Sequence, residues 1–230
     1  MIIFLFLCIR FVPIEILNID IPFLSALLGN NFFSSLFVLL CFLFIINGAN
    51  LIDGFNGLLT INLIIINSIL AYINLADGIN EFSVLIIGQI IILFSFLLFN
   101  FPSAKIFLGD SGSYFLGSLV ALNVIITNNL NPDYSSFFFC TLLFYLFFEV
   151  FFSFFRKIVQ KKSPIHPDDK HLHMLVFKKV SFIFGKEKGN YINSLIINLG
   201  YIAFVLPAFV FAKDPVISRY WFFSLMAIYL

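Results

Sequence analysis

The sequence predicts an all-α fold, a polytopic transmembrane helical bundle with about eight spans. Of the 230 residues, 61% are hydrophobic and only 11% are charged, and the mean hydropathy is +1.07. A soluble domain carries about 25% charged residues, so a water-soluble core cannot absorb this excess of apolar side chains. The apolar runs are also long and do not alternate with polar residues, which favours helices over a membrane β-barrel.

The spans are placed on runs of about 17–25 mostly apolar residues, the length that crosses a bilayer as a helix. They are predicted at residues 1–17, 32–49, 58–76, 82–99, 113–128, 135–155, 192–212 and 220–230. The first run has no positively charged start and no small-residue cleavage site, so it is interpreted as a span and not as a signal peptide. The whole chain, residues 1–230, is expected to form a single membrane domain.

The charge distribution predicts which membrane face each connection occupies. Nine of the thirteen Lys and Arg residues, and all three histidines, fall between Arg156 and Lys188. Because basic connections stay cytoplasmic, residues 156–191 are predicted to form a basic cytoplasmic loop. Counting spans back from this loop places residues 100–112 and 50–57 on the same face. Every polar, glycine-rich interruption of the apolar sequence is therefore expected at the cytoplasmic face.

The first interruption is NGANLIDGFNG, residues 47–57. Its polar side chains recur at every third position, so on a helical turn they would share one face; they are Asn47, Asn50, Asp53 and Asn56. Three amides and an acid on one stripe suit a polar ligand, and polar groups at membrane depth indicate function. A turn between two spans is the alternative, and this segment alone does not decide between them.

The second interruption is FNFPSAKIFLGDSGS, residues 99–113. Glycines on both sides of Asp110 let the backbone turn tightly and expose its N–H groups, and Lys105 lies shortly before. Helix N-termini bind anions, and Mg²⁺ is held by one or two carboxylates while water and phosphate oxygens complete its shell. The segment therefore suits a Mg²⁺–diphosphate site. Capping of the next helix by Asp110 and the neighbouring serines is the alternative.

The third interruption is KKSPIHPDDKHLHM, residues 161–174. It combines basic residues with clustered histidines and acids, namely His166, Asp168, Asp169, His171 and His173. Two histidines separated by one residue are weak support for a structural metal site, and no cysteine completes one. Two other interpretations stay open: a solvated basic loop that touches anionic lipid headgroups, and a loop that closes over a phosphate-bearing substrate.

The segments NGANLIDGFNGL, FNFPSAKIFLGDSGSYFLG and SPIHPDDKHLHM, in this order and at these separations, resemble the polyprenyl-phosphate N-acetylhexosamine-1-phosphate transferases. This superfamily, glycosyl transferase family 4, includes the phospho-N-acetylmuramoyl-pentapeptide transferase and the enzymes that start O-antigen and enterobacterial common antigen synthesis. The histidine segment looks more like the latter branch.

The resemblance implies a reaction and its partners. A sugar-1-phosphate would pass from a UDP-N-acetylhexosamine to undecaprenyl phosphate, with release of UMP and a requirement for Mg²⁺. The implied partners are the UDP-sugar, the polyprenyl phosphate lipid and the bacterial inner membrane. A homodimer is compatible with the resemblance, and no nucleic acid is expected.

The resemblance also implies roles for single residues. Asp110 matches the acid that binds Mg²⁺ on the diphosphate, and Asp53 matches an acid near the nucleotide. The residues implied in catalysis are Asp53, Asp110, His171 and His173. The residues implied in substrate binding are Asn47, Asn50, Asn56 and Lys105. Phosphoryl transfer asks a protein mainly for positioning and charge neutralisation, and these residue types can supply both.

The chain departs from the family pattern in its first part. Relatives carry an adjacent Asp-Asp pair on an earlier helix, whereas the Asp-Asp pair of this chain is Asp168-Asp169. The chain is therefore expected to be an N-terminally truncated member. Asn56 stands where many relatives have a second Asp, and Glu149 stands near where they place an Asp. The alternative hypothesis is a non-catalytic polytopic membrane protein, such as a transporter half or an assembly subunit, in which mid-span polar residues are expected.

Overall fold

The computed structural model describes residues 14–161 and 169–230. In these residues the chain forms ten helices and no β-strand, which confirms the all-α prediction. The helices are α1 (Pro22–Leu28), α2 (Asn31–Ile52), α3 (Leu58–Ala76), α4 (Asn80–Asn100), α5 (Gly109–Leu130), α6 (Ser136–Leu142), α7 (Phe144–Val159), α8 (Leu172–Phe184), α9 (Lys186–Val210) and α10 (Pro215–Tyr229).

Within the described residues, five helices are long and apolar enough to cross a membrane, namely α2, α3, α4, α5 and α9. The count becomes six if α6 and α7 form one bent span. These helices match the central predicted spans, so the protein is a multi-pass membrane protein. The predicted span 1–17 lies mostly outside the described residues. The predicted span 220–230 corresponds to α10, which begins earlier because Asp214 caps a helix that starts with Pro215. This helix has only 15 residues.

The predicted span 135–155 is broken in the structure. α6 and α7 meet near Leu143 at an angle of 77°. A break inside a membrane frees backbone groups, which must find other partners. The hydroxyl of Tyr201 in α9 donates to the freed carbonyl of Leu142 at 2.5 Å. The broken stretch contains no proline or glycine, so its sequence carried no signal of the bend.

Glycines let α2 pack closely against two neighbouring helices. A Cβ atom on Gly48 would lie 2.0 Å from the carbonyl oxygen of Leu146 in α7. A Cβ atom on Gly117 in α5 would lie 2.9 Å from the Cβ atom of Ala49. Small residues permit such close approach between membrane helices. The C-terminal part of α2, which carries the first interruption, is therefore held directly against α5 and α7.

Amide side chains inside the spans bond to one another. The side-chain amide of Asn123 in α5 donates to Oδ1 of Asn67 in α3 at 3.1 Å and to Oε1 of Gln89 in α4 at 2.7 Å. Asn74 in α3 donates to Oγ1 of Thr127 in α5 at 2.9 Å. Such bonds hold membrane helices together. These mid-span polar residues are used in helix packing and lend no support to the transporter alternative.

Candidate active site

The first two interruptions meet where α2 ends and α5 begins. The side-chain amide of Asn50, in the last turn of α2, donates to Oδ1 of Asp110 at 3.0 Å and to Oγ of Ser113 at 3.1 Å. Asp110 lies in the first turn of α5, where unpaired backbone N–H groups favour a negative charge. Because α2 and α5 run antiparallel and touch at Gly117, two residues that are 60 positions apart come into contact.

Asp53 follows α2 directly and interacts electrostatically with Asp110. Burial, and then the negative charge of Asp110, raise the pKa of Asp53 from its usual 3.8 to about 7. Asp110 itself is exposed to solvent. A carboxylate whose ionisation is opposed by a second negative charge is favoured by a nearby cation. The pair therefore offers hard oxygen ligands for a divalent cation.

The polar stripe predicted from Asn47 to Asn56 is shorter than expected, because α2 ends at Ile52. Asn56 therefore lies in the segment that connects α2 to α3 and not on a helical face shared with Asn47. The side-chain amide of Asn47 donates to the carbonyl of Leu43, one turn earlier in α2, at 2.6 Å. Its contact with a substrate stays a prediction.

Asn56 joins three parts of the chain. Its backbone N–H donates to Oδ1 of Asn190 in α9 at 2.8 Å. Its side-chain amide donates to the carbonyl of Pro102 in the second interruption, also at 2.8 Å. In this geometry Asn56 holds the segment between α2 and α3 in place, which is a structural task beside the substrate contact predicted for it.

Asn100, the last residue of α4, ties the same two interruptions together. Its Oδ1 accepts a hydrogen bond from the N–H of Gly57 at 2.7 Å, and its amide donates to the carbonyl of Ile106 at 2.9 Å. Gly57 has a φ of +76°, and a Cβ atom there would lie 2.8 Å from the ring of Phe101, so the position needs glycine. Asn100 was not among the residues predicted from the sequence. The available signal was an amide that ends a long charge-free apolar run.

Lys105 lies in the segment between α4 and α5. Its backbone N–H donates to the carbonyl of Phe99 at 2.8 Å, and its side chain is exposed. The ammonium group is therefore accessible to an anion, and its role in substrate binding stays a prediction.

The histidine segment is organised by Glu149, an acid in α7 that is only 2% exposed. Its Oε2 lies 2.8 Å from Nδ1 of His171, and its Oε1 accepts a hydrogen bond from the backbone N–H of Leu172 at 2.9 Å. Nδ1 of His173 lies 3.8 Å from the same Oε1 and 3.2 Å from the hydroxyl of Tyr145. Glu149 thus fixes the start of α8. Both imidazoles turn their Nδ1 edges towards it, which leaves Nε2 on the opposite edge of each ring.

The two imidazoles form a parallel, buried pair with centroids 5.5 Å apart. Burial lowers the pKa of His173 from its usual 6.5 to about 4; the charge of Glu149 opposes this shift, and His171 adds to it. His173 is therefore neutral near pH 7. A neutral imidazole offers one hydrogen-bond donor and one acceptor and adds no charge.

Phe55 brings the histidine segment to the first interruption. Its ring centroid lies 5.8 Å from that of His173 and 4.9 Å from that of Phe177 in α8. Together with the contact between the first two interruptions, this places the described parts of all three at one end of the bundle. His166 and Asp168 lie outside the described residues.

The carboxylates at this end of the bundle are ligands of the kind that Mg²⁺ binds. The described residues contain no group of three or more His, Cys, Asp or Glu side chains that could hold a metal ion. Mg²⁺ is usually bound by one or two carboxylates, with substrate phosphates and water as the remaining ligands. Asp53 and Asp110 are two carboxylates of this kind, and their binding of a metal ion stays a prediction.

Comparison with known proteins points to one family. Residues 1–128 match the model of glycosyl transferase family 4. The chain is 35% identical over 147 residues to the undecaprenyl-phosphate alpha-N-acetylglucosaminyl 1-phosphate transferase of Thermotoga maritima, a match that covers 63% of this chain and 43% of the relative. It is 31% identical over 158 residues to the probable undecaprenyl-phosphate N-acetylglucosaminyl 1-phosphate transferase of Bacillus subtilis, covering 67% of this chain and 43% of the relative.

A second group of relatives has a different name. The chain is 33% identical over 109 residues to the phospho-N-acetylmuramoyl-pentapeptide-transferase of Clostridium perfringens, covering 47% of this chain and 34% of the relative. The chain therefore spans less than half the length of each of these curated relatives.

Proposed function

Because the chain belongs to glycosyl transferase family 4, we propose that it transfers a sugar-1-phosphate from a UDP-N-acetylhexosamine to a polyprenyl phosphate and releases UMP. Two of the similar proteins are named for undecaprenyl phosphate and N-acetylglucosaminyl 1-phosphate, which supports this choice of acceptor and sugar class. The lipid-linked product would begin synthesis of a cell-envelope glycan such as O-antigen.

In the proposed reaction, an oxygen of the lipid phosphate attacks the sugar-bearing phosphorus of the UDP-sugar. A new P–O bond forms, the bond from that phosphorus to the bridging oxygen breaks, and UMP leaves with that oxygen. Both reactants are anionic, so the protein must align them and offset their repulsion. Lys105 and the basic residues between Arg156 and Lys188 are the source of positive charge that we propose for this task.

Mg²⁺ would be held by Asp110, with Asp53 as a second carboxylate, and when bound it would neutralise charge on the diphosphate. The single observation that supports the proposal most is the meeting of these acids at the junction of α2 and α5. Asn50 orients Asp110 through a hydrogen bond of 3.0 Å, and the nearby charge of Asp110 contributes to the raised pKa of Asp53.

His171 and His173 are proposed to contact the phosphates through their Nε2 edges. Nδ1 of His171 is hydrogen-bonded to Glu149 and Nδ1 of His173 to the hydroxyl of Tyr145, so neither ring turns away without breaking a hydrogen bond. The long apolar tail of the acceptor gives a physical reason for a site at the end of membrane helices. We place this end at the cytoplasmic face of a bacterial inner membrane, because the basic residues cluster there.

The proposal is tested with membranes that contain the chain. UMP release is measured from UDP-N-acetylglucosamine and undecaprenyl phosphate, with Mg²⁺ and with EDTA. We expect release that requires Mg²⁺ and that Asp110→Asn abolishes. Asp133→Asn, which removes the same charge from an exposed turn between α5 and α6, is the matched control and should retain activity. An unchanged rate in Asp110→Asn, or no release with any UDP-N-acetylhexosamine from a complete, well-expressed protein, would overturn the proposal.

A further inference from the structure

α8 has one face buried against the bundle and one face turned outwards. His173, Phe177 and Val180 lie on the buried side. Leu175 and Phe182 are seven residues apart, which is about two helical turns, and so they share the outer side. Phe182 is 92% exposed and Leu175 is 45% exposed. An apolar stripe of this kind is unfavourable in water.

The apolar surface continues to the end of α8. Ile183 and Phe184 are also exposed, at 70% and 51%. A single residue, Gly185 with a φ of +80°, separates them from α9, which is one of the membrane-crossing helices. A Cβ atom on Gly189 in the second turn of α9 would lie 2.9 Å from the Cα atom of Ser181, so the end of α8 packs directly on the start of α9. The exposed apolar tip is therefore held where a membrane span begins.

Positive charge surrounds this apolar surface. Residues 172–188 contain four lysines and one glutamate, a net charge of +3 because His173 is neutral. Lys178 forms an ion pair with Asp169. Lys179, Lys186 and Lys188 have exposed side chains.

From this geometry we propose that the outer face of α8 lies on the bilayer surface and binds anionic lipid headgroups. Leu175, Phe182 and Ile183 enter the boundary of the acyl chains, and Lys179, Lys186 and Lys188 contact the headgroup phosphates. A helix with an apolar face and a lysine-rich border is bound by an anionic lipid surface through both features. The inference does not rest on the proposed transferase activity.

This contact would fix the height of the histidine segment above the lipid. The buried face of α8 carries His173, and the first turn of α8 is held by Glu149. A helix that is clamped to the bundle on one side and to the bilayer on the other cannot tilt freely. The histidine pair is then presented at a constant depth relative to lipid headgroups.

The experiment places a fluorescent probe on the apolar stripe of the full chain. In a variant whose Cys8, Cys41 and Cys140 are replaced, Phe182→Cys is labelled with an environment-sensitive dye and reconstituted into vesicles. The vesicles contain phosphatidylcholine with or without phosphatidylglycerol, and a lipid with a nitroxide on its acyl chain serves as the quencher. Ser103→Cys, at an exposed position between α4 and α5, is the matched control label.

We expect blue-shifted emission and strong nitroxide quenching at position 182 when phosphatidylglycerol is present, and at least about twofold weaker quenching at position 103. Each lysine near an anionic surface changes partitioning about fivefold. The triple variant Lys179→Gln, Lys186→Gln and Lys188→Gln should therefore lose most of the response to phosphatidylglycerol.

Three outcomes would overturn the inference. Quenching at position 182 that equals quenching at position 103 would leave the face in water. Equal quenching with and without phosphatidylglycerol would show that this face does not bind anionic headgroups. Blue-shifted emission without nitroxide quenching would place a protein, and not lipid, on this face.

Discussion

Among single residues, Asp53 bears a carboxylate whose ionised form is disfavoured by the fold. Burial and the charge of Asp110 raise its pKa from 3.8 to about 7. Because the pKa is higher in the folded state, binding a proton at Asp53 stabilises the fold. This contribution to the free energy of unfolding is fully present below about pH 3.8 and is lost as the pH rises through about 7. At about pH 8, Asp53→Asn should therefore be more stable than the wild type. The gain should be well below the roughly 4 kcal/mol that the full shift corresponds to, because Asp53 is partly exposed and solvent screens its charge. The gain should be smaller at about pH 5.

The measurement is the thermal unfolding midpoint of the detergent-solubilised protein with a chelator present. Asp133→Asn removes an exposed carboxylate and should change the midpoint little at either pH. If Asp53→Asn were destabilised, or if its advantage did not grow with pH, the electrostatic account of Asp53 would be wrong.

Glu149 allows a second prediction at this scale. Its two oxygens serve Nδ1 of His171 and the N–H of Leu172, and glutamine has only one oxygen to offer. Glu149→Gln should therefore misorient the histidine pair and lower kcat/KM for UMP release about 10- to 100-fold. Glu149→Asp keeps a carboxylate and should recover part of the loss.

Steady-state kinetics of the wild type and the two variants check this positioning role. The assay temperature lies below the unfolding midpoint of each protein. A glutamine variant as active as the wild type would contradict it. Equal losses in the glutamine and aspartate variants would point to packing and not to the carboxylate.

At the scale of secondary-structure elements, the crossing of α2 and α7 depends on a residue without a side chain. A Cβ atom on Gly48 would lie 2.0 Å from the carbonyl oxygen of Leu146, so Gly48→Ala must push the helices apart. Such overpacking destabilises by about 1–3 kcal/mol. Gly88→Ala in α4 is the matched control, because nothing lies within 4 Å of a Cβ atom there. Thermal unfolding should show a lower midpoint for the first variant only, and equal midpoints would refute the close crossing.

Sequence patterns predicted the positions of the helices better than the bend between α6 and α7 or the hydrogen-bond partners of single side chains. Apolar runs located α2 to α5 and α9, because about 20 apolar residues suffice to indicate a span. The bend between α6 and α7 was not predicted, because its support comes from Tyr201, 59 residues away from Leu142. The roles of Asn100 and Glu149 were missed for the same reason: their partners are set by packing and not by spacing along the chain.

At the scale of the whole molecule, the prediction that can be tested most directly is sidedness. The described basic residues between Arg156 and Lys188, the histidine pair and the two acids lie at one end of the bundle, which we expect to be cytoplasmic. In the cysteine-replaced variant, Ser103→Cys should react with a membrane-impermeant maleimide only in inverted vesicles. Asp77→Cys, at the exposed end of α3, should react only in intact cells. Labelling of Ser103→Cys from outside would place the candidate site on the wrong face.

The sequence predicts the three interruptions at one membrane face, and their described parts lie together at one end of the bundle, where Asn50 contacts Asp110 and Phe55 contacts His173. The pattern could predict it because alternating spans return the chain to the same face every second crossing. It could not give distances. Whether Asn47 faces a ligand, for example, depends on the bond of its amide to Leu43.

The two hydrogen bonds of the Asn100 side chain have a consequence for how the binding of one ligand would affect the binding of another. Its side-chain amide bonds both the N–H of Gly57 and the carbonyl of Ile106, so a shift of this side chain affects both connections. A ligand that orders one of these two connections reduces the conformational entropy that is lost when a second ligand binds to the other. We therefore expect heterotropic cooperativity, in which donor and acceptor each tighten the binding of the other by the same factor.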